Sequence, residues 1–103
     1  MITSSVRVFG TLTDGTGSRA INGTVYHNTS GRPLKVSVSA ATTAANGVIV
    51  AYSDAAAGPT TVVHAARAAA VSDLINVSFV VCPGHYYSVN NTTCALNNWA
   101  EWV

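Results

Sequence analysis

The chain reads as an all-β protein, an antiparallel β-sandwich of jelly-roll type, on three observations. Two stretches alternate strictly: Leu34, Val36 and Val38 against Lys35, Ser37 and Ser39, and Ile75, Val77, Phe79 and Val81 against Asn76 and Ser78. Period two is the mark of a strand with one buried face. Turn-forming clusters recur between such runs every 8–12 residues, the rhythm of a sandwich or jelly roll. No strand–helix alternation of the kind that builds a parallel sheet is present.

Taken in order, Val6-Arg7-Val8-Phe9 predicts a short first strand, and residues 11–18, with Asp14-Gly15 and Gly17, predict a turn-rich loop. Residues 21–27 suggest a strand that Gly23 bends or confines to an edge. The clearest unit follows. Asn28, Ser30, Gly31 and Pro33 supply the turn, and a strand then runs from 32 to about 41. The Thr pair and Asn46-Gly47 favour a loop or hairpin over helix at 40–47. Val48-Ile49-Val50-Ala51-Tyr52 is almost wholly apolar and predicts a strand covered on both faces. Residues 54–61, with Gly58-Pro59, form a loop. Alanine content alone would allow helix at 62–70, but flanking β-branched residues and the surrounding rhythm favour strand. A strand at 74–81, a Pro83-Gly84 turn and a return strand at 86–89 predict a hairpin. After a polar turn at 90–93 the chain ends in a segment carrying Trp99 and Trp102. Spaced three apart, these would face opposite sides of a strand, one in the core and the other exposed or at a subunit contact.

At 103 residues the chain has room for one domain, 1–103, with 1–20 as a leading strand and loop. A chain of this mass buries roughly 64% of its unfolded surface, enough for one thin core. Charged residues make up only 9% of the sequence and the net charge is +1, against about 25% charged in an ordinary soluble domain. So little charge opposes self-association weakly and favours an oligomer. Arg7, Arg19, Arg32, Lys35 and Arg67 are scattered, which argues against nucleic acid. No apolar run reaches membrane-spanning length, and the first seven residues lack the basic-then-apolar order of a signal peptide.

The chemistry-bearing residues form no recognisable catalytic motif. His27, His64 and His85 fall on separate segments and read as structural or surface histidines. The acids Asp14, Asp54, Asp73 and Glu101 are far apart; only folding could bring two together as a glycosidase-type pair. There is no Gly-x-Ser-x-Gly elbow and no phosphate-binding glycine loop, so neither cofactor nor metal is expected. Cys82 and Cys94 match no metal-ligand spacing. They are two buried thiols, or a disulfide if their segments pair as neighbours. Tyr86, Tyr87, Trp99 and Trp102 suit core packing, interface anchoring or sugar stacking.

Three stretches carry a family resemblance. Tyr26-x-Asn28-Thr29-Ser30-Gly31-Arg32-Pro33-Leu34-x-Val36-x-Val38 resembles a motif in the C-terminal domains of bacteriophage tail fibres, tailspikes and related tail-tip proteins. Val81-Cys82-Pro83-Gly84-His85-Tyr86-Tyr87-Ser88-Val89 is similar to that family's apolar-Pro-Gly-x-x-Tyr-x-Val hairpin, and residues 96–103 are similar to its closing Trp-x-Glu-apolar strand. Cys82 and Trp102 depart from the pattern, which more often has an apolar residue or proline at the first and leucine at the second. Residues 41–72 match no motif.

The resemblance implies a homotrimeric, tumour-necrosis-factor-like knob at the tip of a virion's tail, made in the bacterial cytoplasm and non-enzymatic. It would bind a glycan or protein of the host cell surface. A module that only trimerises or caps the fibre is the alternative, and a glycan-processing enzyme a more distant one. Ala65, Ala66, Ala68 and Ala69 would let subunits approach closely. Arg32 would pair with Glu101 or a neighbouring subunit. Loop placement nominates Thr42, Asn46, Tyr52, Asp54, His64 and Arg67 as the contact surface.

Overall fold

The computed structural model describes residues 12–103; the strand expected at 6–9 lies outside the described residues. Eight strands form: β1 (Leu12–Asp14), β2 (Tyr26–His27), β3 (Leu34–Thr42), β4 (Gly47–Asp54), β5 (Val62–Ala68), β6 (Leu74–Val81), β7 (Tyr86–Thr92) and β8 (Cys94–Trp102), with no helix among the described residues. They make two antiparallel four-stranded sheets, β1-β8-β3-β6 and β2-β7-β4-β5.

The alternation of the sequence becomes the core. Leu34, Val36, Val38 and Ala40 of β3 lie beside Val81, Phe79, Val77 and Ile75 of β6 in direct register, and all eight are buried. From the other sheet, Ile49, Ala51, Tyr87 and Val89 complete the cluster, with Trp99 fully buried among them. Each fully buried aliphatic or aromatic side chain contributes about 1.5–3 kcal/mol. A one-residue slip of β3 would instead bury Lys35, Ser37 and Ser39, so the register is strongly specified.

Several elements differ from expectation. Residues 12–14 pair with β8 rather than looping, but all three are exposed, which removes the alternating signal. Only Tyr26 and His27 of the 21–27 stretch pair, because Gly23, at φ 86°, turns the chain and donates its N–H to Val89 O. β4 is buried on one face, through Ile49, Ala51 and Ser53; Val48, Val50 and Tyr52 are half-buried on the outer face, where no further layer of the described chain lies. The 74–89 stretch is not a hairpin. β6 and β7 belong to opposite sheets, and the Pro83-Gly84 turn carries the chain across. Alternation reveals which face is buried and not which strand lies alongside. Residues 62–68 are a strand, as the β-branched flanks favoured.

The cysteines are free: Cys82 is exposed and Cys94 half-buried, so they are not a buried pair. Val81 lies opposite Leu34 and Cys94 opposite Thr42, at the two ends of β3. Eight residues of strand separate them by roughly 27 Å, far beyond disulfide reach. Trp99 and Trp102 divide as expected between core and outer face, Trp102 lying half-buried with Lys35 Nζ 5.9 Å from its ring centroid.

Candidate functional site

The densest chemistry surrounds Glu101, which is 6% exposed on the inner face of β8. Its Oε2 accepts hydrogen bonds from Tyr87 Oη at 2.8 Å, Trp99 Nε1 at 2.9 Å and Arg19 Nε at 3.1 Å, and Oε1 accepts from Arg19 Nη2 at 3.3 Å. The ion partner is therefore Arg19, in the segment before β2, and not Arg32. Arg19 also lies over the Tyr26 ring at 4.5 Å, a cation–π contact. Tyr26 packs on Tyr87 and Trp99, each with centroids 5.7 Å away, and its hydroxyl accepts from Ala20 N. Burial, reinforced by the hydrogen bond and charge of Glu101, holds the Tyr87 phenol well above its ordinary range. Burial alone would lower the Arg19 guanidinium, but the Glu101 hydrogen bond and charge outweigh it and raise it.

Asn28 builds the neighbouring corner. Its Nδ2 donates to Arg32 O, Val81 O and Cys82 O at 2.8, 3.1 and 3.3 Å, and its Oδ1 accepts from Ser30 N and Oγ. Its main chain bonds His85 O and Gly84 N. Every buried side-chain nitrogen and oxygen among the described residues has a partner. A carboxylate committed to three donors is an anchor: it ties the 15–27 segment to both sheets.

The remaining acids are dispersed. Asp14 lies one register step from Glu101 but on an exposed strand, with its carboxylate accepting from Thr16 N. Asp54 and Asp73 stand at opposite ends of the sandwich: Asp54 ends β4, whereas Asp73 O bonds Thr42 N near the start of β4. No group of three or more His, Cys, Asp or Glu that could hold a metal occurs among the described residues.

The six residues nominated as a contact surface do not gather. Thr42 is 3% exposed rather than in a loop; its Oγ1 donates to Ala70 O and accepts from Asp73 N, tying β3 to the β5–β6 connection. Asn46 is exposed in the β3–β4 turn at φ 60°. Asp54 accepts from the amides of Ala56, Thr60 and Thr61, which push its carboxyl down to about 2. His64 turns toward β6, its Nδ1 2.9 Å from Ser78 N and 3.0 Å from Ser78 O, and so bridges the two sheets where their edges meet. Tyr52 and Arg67 are strand residues on the outer face of the β2-β7-β4-β5 sheet, Arg67 lying opposite Val48.

That face holds a shallow groove lined by Val48, Val50, Tyr52, Asn90, Asn91 and Thr92. Val48 pairs with Thr92, Val50 with Asn90 and Tyr52 with Ser88, so an apolar wall from β4 faces a polar wall from β7. Asn90 and Thr92 were missed because residues 90–93 read as a turn. The signal was there: Tyr87 and Val89 alternate with Ser88, Asn90 and Thr92. No family model and no curated protein matches the chain.

Proposed function

We propose that this chain is the non-enzymatic terminal domain of a phage-type tail fibre, which trimerises and attaches to the bacterial surface. One observation carries the reading. The three stretches that resemble tail-tip domains are separated in sequence yet meet at a single corner: Asn28 on the carbonyls of Val81 and Cys82, and Tyr26 on Tyr87 and Trp99, above Glu101. The strand order, β1-β8-β3-β6 facing β2-β7-β4-β5, is the interleaving expected of a jelly roll and supports that finer fold class.

The surface supports self-association. Val62, Val63, Val71, Leu74 and Val80, five of the seven exposed large apolar side chains, cluster on β5, β6 and their connection. There the two sheets present open edges side by side, an arrangement that invites coverage. The outer face of the β1-β8-β3-β6 sheet carries a run of small residues, Ser37, Ser39, Ala41, Ser78 and Ala100, beside Lys35 and Trp102 at one end. An apolar edge of one copy against the small-residue run of the next would make a head-to-tail contact, the type of interface from which a cyclic trimer is built.

Attachment is tested by binding of the fluorescently labelled domain to whole cells across a panel of bacterial strains. Saturable binding to a subset of strains supports the reading. A domain that trimerises but binds no strain is a capping module. Release of oligosaccharide from purified surface polysaccharide, abolished by carboxylate-to-alanine variants, would mean an enzyme instead.

A further inference from the structure

We propose that the groove between β4 and β7 is a subsite for one uncharged pyranose ring; this rests on the surface-attachment reading and gives it a ligand class. The two walls have the chemistry a sugar ring needs. Tyr52, Val50 and Val48 offer aromatic and aliphatic surface to the C–H face of the ring. Asn90 and Thr92, directly opposite Val50 and Val48 in register, carry the amide and hydroxyl groups that meet its hydroxyls.

The polar wall is free to bind. Asn90 Oδ1 accepts from Asn91 N at 2.9 Å, and its Nδ2, which lies beside Gly23, has no protein acceptor among the described residues. The hydroxyls of Tyr52 and Thr92 have no protein partner among the described residues. The wall is also fixed in place. Asn91 Nδ2 donates to Ile21 O at 2.7 Å and its Oδ1 accepts from Cys94 N at 3.0 Å, so little ordering entropy remains to be lost on binding.

Charge and size narrow the ligand further. The lining contains no Asp, Glu, His, Lys or Arg. Arg67 flanks one end beside Val48, and the Asp54 carboxylate at the other is committed to its own loop. A phosphorylated or uronic ligand would meet a single flanking cation and no buried donors for its charge. The cavity, about 110 Å³, seats part of one ring and no more. Affinity per site is therefore in the millimolar range, and useful attachment depends on several sites engaging at once.

The test is amide-shift titration of the full chain with the methyl glycosides of glucose, galactose, mannose and N-acetylglucosamine. Glucose 6-phosphate and methyl glucuronide serve as charged comparators. The proposal expects at least one neutral glycoside to shift the amides of Val50, Tyr52, Asn90 and Thr92. Tyr52→Ala and Asn90→Ala should each weaken that binding about tenfold, with Tyr52→Phe losing less. Asn90 is exposed, so its variant reports on binding even if truncation at Tyr52 perturbs folding.

The proposal is overturned if no neutral glycoside moves these amides, if a charged comparator binds more tightly there, or if Asn90→Ala binds like the parent. The two readings separate on cells. Parent and variants binding cells equally sinks the groove and keeps surface attachment. Glycoside binding in the groove with no cell binding keeps the groove and sinks attachment.

Discussion

Replacing Glu101 with alanine tests the anchor directly. The substitution leaves Trp99 Nε1 and Tyr87 Oη, both on fully or almost fully buried residues, without their acceptor. A buried donor so stranded costs about 1–3 kcal/mol. Arg19 adds less, because its side chain is 29% exposed and reaches water when released. The two buried donors together give about 2–6 kcal/mol, in line with about 3–5 kcal/mol for breaking a buried pair. A domain of this size has about 5–15 kcal/mol in total. The midpoint of thermal unfolding should therefore fall by at least about 8 °C, at about 4–8 °C per kcal/mol. Glu101→Gln keeps one acceptor oxygen and should lose about 1–2 kcal/mol. Urea unfolding of the three proteins measures both. An alanine variant within about 1 kcal/mol of the parent refutes the anchor, and a glutamine variant as damaged as alanine refutes the acceptor argument.

Three further outcomes follow from particular contacts. Because the Tyr87 phenol is raised, the unfolded chain loses its proton first, so stability is intact below about pH 10 and falls above it by up to about 1.4 kcal/mol per pH unit. Urea midpoints on either side of that pH should show the decline, and Tyr87→Phe should flatten it; a parent with no alkaline decline contradicts the assignment. The depressed Asp54 carboxyl holds the 54–61 loop at ordinary pH and releases it as pH falls through about 2. Amide exchange at Ala56, Thr60 and Thr61 should accelerate over that range and already at neutral pH in Asp54→Ala; unchanged exchange in the variant removes the carboxylate from the account. A Cβ on Gly47 would run into the Thr42 side chain and lie 3.0 Å from Cys94 Sγ, so Gly47→Ala should cost about 1–3 kcal/mol in urea unfolding, and a neutral effect would show that this strand start can relax.

The parts legible in the sequence were those where one residue type dictates one local geometry. The alternation in 34–39 and 75–81 placed β3 and β6 and half of the core, and Gly31 and Gly84, both at positive φ, lie in turns read correctly from Pro and Gly. Connectivity was less legible. Nothing local distinguishes a chain that folds back beside β6 from one that crosses to the other sheet, and the crossing depends on Asn28 reaching residues more than fifty positions away. The Glu101 anchor is half visible: the closing segment stands out, and Arg32 reads as a partner for Glu101 or for a neighbouring subunit, whereas the ion pair is made by Arg19. Arg19 lies in a stretch with no pattern of its own. The groove was hidden for a related reason. Tyr52 could be nominated singly, whereas Asn90 and Thr92 become its opposite wall only through the β4–β7 register.

The proposed trimer assembles through the β5–β6 edge, where most of the exposed large apolar side chains lie. Sedimentation equilibrium of the domain at micromolar concentration should give a trimer, three times the 10.6 kDa chain mass. Leu74→Asp, which puts a charge on the most exposed large apolar side chain of that edge, should shift the population toward monomer while leaving the fold intact. A parent protein that sediments as a 10.6 kDa monomer contradicts the account.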